Sequence, residues 1–149
     1  MTMDLRELYQ EIIIDHNRNP RNHHEMADAH LTAHGFNPLC GDKLTVYLKL
    51  KEGRIVDLSF LGKGCAISQA SASLMTEAVF GKTIAEAHEI FLNFHTLLTQ
   101  EEESALALTD KLRVLAGVKA YPARVKCATL AWHTLEAALN KKLTPVSTE

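Results

Sequence analysis

Apolar and polar positions alternate strictly over residues 43–50. Leu44, Val46, Leu48 and Leu50 fall on one side, and Lys43, Thr45, Tyr47 and Lys49 on the other. A period of two is the mark of a strand with one buried face. A "KEG" turn follows, and Ile55, Val56, Leu58, Phe60 and Leu61 supply the return strand, so a hairpin is expected. Upstream, "AHLTAHGFN" has room for one short first strand. Downstream, after "GKGC", the spacing becomes helical. Ile67, Ala70, Leu74 and Ala78 share a face, and Gly81 suits the stop.

Helical spacing also marks the two ends of the chain. Leu5, Leu8, Ile12 and Ile13 make one stripe behind Asp4 as a possible N-cap, and Pro20 disfavours helix in the residue before it. "KTIAEAHEIFLNFHTLLT" reads as helix from about Thr83, and "QEEESALALTDKLRVLAGV" as a further helical stretch with a break near Thr109. Pro122 then opens a final helix in which Cys127, Leu130 or Ala131, Thr134 and Ala138 share a face. Residues 142–149 are expected to be a frayed tail. The fold class predicted is α+β: a small antiparallel sheet of about three strands packed against several helices, in one domain spanning 1–149.

Charge narrows the partners. Sixteen basic and 18 acidic residues leave a net charge of −2, with no general pull toward nucleic acid or an anionic membrane. No stretch approaches the ~18 apolar residues of a membrane span. The start, "MTMDLRELYQ", lacks a basic-then-apolar leader pattern, so the cytoplasm is the expected compartment. Three cysteines in such a chain argue against a disulfide framework.

Those cysteines carry the candidate chemistry. Cys40 and Asp42 lie in "NPLCGDK", the turn before the hairpin. Cys65 lies in the turn leaving it. A hairpin returns its second end beside its first, so topology alone brings 40–42 and 65 together. Cys127, early in the last helix, can face the same end of the sheet if that helix packs on it. Three thiolates and a carboxylate suit zinc, and soft sulfur also suits an iron–sulfur cluster or Cu(I). A helix start at Cys65 would favour its thiolate. Against this, a lone helical cysteine is commonly a packing residue, and C-x-D alone is a weak motif. Spacing alone leaves metal or thiol chemistry and simple packing both open. Most of the eight histidines fall in "DHNRNPRNHHEMADAHLTAH". His23, His24, His30 and His34 are expected on the surface, with His16 anchoring the helix end or meeting a partner.

The pieces "LYQEIIIDHNRNPRN", "NPLCGD", "GKGCAISQASASLMTEAVFGKT" and "YPARVKCATLAW", in that order, resemble the U-type iron–sulfur cluster assembly proteins, the IscU/SufU family. The resemblance runs from about Leu8 to about Ala138. The scaffold-like IscU branch carries a histidine immediately before the third cysteine. Here Lys126 stands there, and the segment before "YPARVKC" is longer, as in the SufU branch. The "LPPVK" run of other members is absent. The resemblance implies zinc on Cys40, Asp42, Cys65 and Cys127, with Cys40 as the catalytic, sulfur-accepting thiol. It implies a PLP-dependent cysteine desulfurase as partner, with downstream iron–sulfur assembly or acceptor proteins. The alternative it offers is a scaffold holding a transient [2Fe–2S] cluster on the same residues. Arg124 and Lys126 are possible supporting residues that could steer an anionic persulfide, or simply a solvated helix face.

Overall fold

The hairpin forms the centre of the sheet. In the computed structural model, which describes residues 5–99, 112, 114–141 and 146–147, the order of elements is α1 (Leu5–Arg18), β1 (Leu31–Asn37), β2 (Asp42–Lys51), β3 (Arg54–Lys63), α2 (Ala66–Val79), α3 (Ile84–Thr99), a 3-10 segment (Val114–Ala120), α4 (Pro122–Leu139) and β4 (Val146–Ser147). The strands lie side by side as β3-β2-β1-β4, antiparallel except for the parallel β1–β4 pair. A register shift at Lys49/Leu50 places Val56 as the extra residue of a bulge, so the return strand keeps Leu58 opposite Leu48 and Phe60 opposite Val46.

One sheet face is apolar because the alternation of β2 is matched by its neighbours. Ala33, Leu44, Val46, Leu48, Ile55, Leu58 and Phe60 are all buried. The helices cover that face. α4 lies over β1 and β2, α2 runs beside α4 and against β3, and α1 and α3 pack on α2 and α4 respectively. Trp132 of α4 anchors this layer: its ring stacks on Phe94, and its Nε1 donates to Ser71 Oγ at 3.2 Å. Ser71 in turn donates to the Ala128 carbonyl, so a buried polar pair is satisfied inside the apolar layer.

A second buried polar network joins α1 to α2. His16 is 2% exposed, and its Nδ1 lies 2.7 Å from Ser73 Oγ. The backbone N–H of Arg21 also donates to Ser73 Oγ, and Asn22 Nδ2 donates to Thr76 Oγ1. The chain then runs along the outer edge of β3, where Phe60 N–H donates to the Asn22 carbonyl, before the Asp28–Lys49 ion pair brings it back to the sheet.

The first strand forms within the expected stretch, as Leu31–Asn37. The fourth strand is an addition: two residues carry no readable periodicity, and Val146–Ser147 pair with Gly35 and Phe36 inside the stretch expected to fray. The helix expected over residues 100–118 falls mostly outside the described residues. Its end, from Val114, is 3-10. Asp4 also lies outside them. His23, His24, His30 and His34 are exposed, while His16 is buried and ties the helix end down.

Candidate metal centre

Three chain reversals converge at one end of the sheet. β1 ends at Asn37 and β2 begins at its register partner Asp42, so residues 38–41 are a four-residue turn carrying Cys40. Gly41 has φ +70°, a left-handed conformation that costs little only for glycine. The other end of the hairpin returns Lys63 opposite Lys43, which delivers Gly64 and Cys65 beside Asp42.

Asp42 is fully buried. Its Oδ1 accepts the backbone N–H of Cys65 at 2.8 Å. Its Oδ2 is buried with no hydrogen-bond partner among the described residues. The approach is close enough that a Cβ on Gly64 would collide with the carboxylate. Gly64 is therefore required for the space it leaves rather than for a turn.

Cys127 is buried in the second turn of α4, and its Sγ lies 3.1 Å from Cys40 Sγ. Both cysteines are free. The ligand atoms of Cys40, Asp42 and Cys127 all lie within 4.8 Å of one another. Cys65, expected as a fourth member, is not among the three whose ligand atoms lie this close. It caps α2, its Sγ accepting from Ser68 N–H at 3.4 Å. Burial first, then the closeness of Cys40, Asp42 and Cys65, push the Cys127 thiol far above the usual cysteine range.

The donor set fits zinc. Two thiols and a carboxylate oxygen left without a partner, with the Cys65 thiol on the adjoining turn, are the chemistry zinc accepts, and a cation would convert such thiols into thiolates.

Two further residues reach the site. Asn37, fully buried, donates from Nδ2 to Cys127 Sγ at 3.6 Å, while its Oδ1 accepts Leu39 N–H. Sequence reasoning missed Asn37, because its role follows from its register opposite Asp42. Arg124 lies one turn before Cys127. A hydrogen bond to Cys127, then the charges of Cys65, Cys127 and Cys40, hold its guanidinium above the usual arginine range. Lys126 is different: it lines a cavity of about 270 Å³ with His95, Thr129 and His133, on another face of α4. Leu39 and Tyr121, 66% and 65% exposed, are large apolar side chains in the turn of Cys40 and at the start of α4. No described helix is long and apolar enough to cross a membrane.

Comparison with known proteins agrees with this geometry. The NifU-like N-terminal domain profile matches residues 8–143. The zinc-dependent sulfurtransferase SufU of Bacillus subtilis is 39% identical over 140 residues, covering 93% of this chain and 94% of that protein. The iron–sulfur cluster assembly scaffold protein IscU of Streptococcus pyogenes is 38% identical over 137 residues, covering 92% and 86%. Among solved structures, an iron–sulfur cluster assembly scaffold protein for the SUF system from Fervidobacterium islandicum superposes with a TM-score of 0.79 at 39% identity, covering 89% of this chain and 97% of that one. The chain thus belongs to the family of NifU-like N-terminal domains, the U-type iron–sulfur cluster assembly proteins.

Proposed function

We propose that the protein takes up sulfur for iron–sulfur cluster assembly, accepting it on Cys40 from the persulfide of a PLP-dependent cysteine desulfurase in the cytoplasm. One observation carries the reading: Cys40 sits in an exposed turn softened by Gly41, yet its Sγ meets the buried Cys127 and Asp42. Zinc would be held by Cys40, Asp42, Cys65 and Cys127, and when bound it would keep their sulfurs as thiolates at neutral pH.

The transfer itself is thiol exchange. The Cys40 thiolate attacks the outer sulfur of the partner's persulfide. A bond forms between Cys40 Sγ and that sulfur, the partner's S–S bond breaks, and the electron pair leaves on the partner's inner sulfur as a thiolate. Nothing is oxidised or reduced overall. Arg124, facing the thiols, offsets the negative charge that collects there. Lys126 faces away from the thiols, and its part is at most long-range steering. Downstream assembly or acceptor proteins would take the sulfur from Cys40.

The test is metal analysis joined to a desulfurase assay. About one zinc per chain is expected, with wild type stimulating the desulfurase and Cys40→Ala abolishing stimulation. Normal stimulation by Cys40→Ala would sink its role as acceptor. A second reading, a scaffold for a [2Fe–2S] cluster on the same donors, is favoured by the scaffold relatives. It predicts a stable cluster, with zinc readily displaced, when the protein is reconstituted with iron and sulfide.

A further inference from the structure

The outer face of the hairpin carries a groove of about 470 Å³ directly behind the thiol turns. Thr45, Tyr47 and Leu61, half-buried, line it, and Lys43 and Lys63 stand exposed at its end nearest Asp42 and Cys65. The two lysines are cross-strand partners. Like charges directly opposite one another in a sheet repel, so this pairing weakens the hairpin. Lys49, on the same face, is neutralised by Asp28. Among the described residues neither Lys43 nor Lys63 has an ion-pair partner. Among the described residues no carboxylate lines the groove. At its far end, burial and then the charge of Glu25 raise the Tyr47 phenol.

We propose that this groove docks an acidic segment of the sulfur-donating partner, its apolar side chain resting on Tyr47 and Leu61 and its carboxylates on Lys43 and Lys63. The proposal rests on the sulfur-acceptor reading and adds where the donor is held. Lys43 is adjacent to Asp42, and Lys63 precedes Cys65 by two residues. A segment seated between them brings the donor to the Cys40 turn without touching a ligand. The polar stripe along β2, which otherwise reads as a solvated strand face, becomes a recognition surface.

The experiment compares wild type with the K43E/K63E and K43Q/K63Q variants. It measures association with the cysteine desulfurase of the same organism at low and high salt. The association rate is expected to fall about tenfold for K43E/K63E and less for K43Q/K63Q, with the gap closing as salt screens the contact. Zinc content and sulfur transfer at saturating desulfurase should match wild type, which shows that the variants are folded. Association unchanged in both variants overturns the docking surface while leaving the acceptor reading intact. Loss of self-association in place of desulfurase binding also overturns it, assigning the groove to a second copy of this chain. A wild-type chain that neither binds nor stimulates the desulfurase overturns the acceptor reading and the docking surface with it.

Discussion

Two buried polar clusters in this protein are built from similar materials and end in opposite states. At the α1–α2 joint, His16, Ser73, Asn22 and Thr76 close on one another. Ser73 Oγ meets both an imidazole nitrogen and a backbone N–H, and Thr76 Oγ1 both accepts from Asn22 and donates to the Ser73 carbonyl. At the thiol end, Asp42 keeps one oxygen without a partner and two thiols press on each other. Burying a polar group unpaired costs free energy, so a protein tolerates it where something else completes the set. The joint is a structural clamp complete in itself. The thiol end leaves donors that a bound cation would satisfy.

The largest break in that comparison comes from Asp42→Ala. Zinc affinity is expected to fall by more than about 100-fold, since loss of a mere supporting residue costs about 10–100-fold. Competition with a chromogenic chelator measures it, and an unchanged affinity removes Asp42 from the ligand set. Ser73→Ala attacks the other cluster. It strands the Arg21 N–H and a nitrogen of His16, and should lower stability by about 1–3 kcal/mol in urea denaturation while zinc stoichiometry stays the same. If Ser73→Ala also released zinc, the two clusters would not be independent.

The smallest effect separates both clusters from the histidine face of α3 and α4. Burial, and then the charge of His95, hold His133 below its ordinary value of 6.5. The folded state therefore binds fewer protons there than the unfolded chain. That contribution to stability is present above about pH 6.5 and is lost as pH falls through the lower folded value. His133→Gln should flatten the decline in stability between about pH 7 and 5, measured by denaturation at several pH values. An identical slope in the variant would assign the acid sensitivity elsewhere.

What could be read in advance followed from periodicity. The alternation from Lys43 to Leu50 was sufficient for the hairpin, and the hairpin was sufficient to bring Cys65 toward Asp42. β4 was not legible, because two residues give no period and their pairing is long-range. Arg124 and Lys126 looked equivalent as neighbours of Cys127. Helical phase separates them: a residue three positions before Cys127 shares its face, whereas the adjacent one does not. Gly64 carries no sequence sign of its constraint, which is the Asp42 carboxylate lying where a Cβ would stand. Asn37 carried no signal at all until register placed it beside Cys127.

The two borders of the sheet bear on how the protein behaves at high concentration. An open strand border offers unpaired backbone groups to any other chain and can template aggregation. Here His23 bridges to Phe60 along β3, and Val146–Ser147 lie along β1. Each border is interrupted by a short piece of its own chain. Deleting Val146 and Ser147 would strip β1 of that cover and leave a ready partner for fibre-like stacking, with the thiol end untouched.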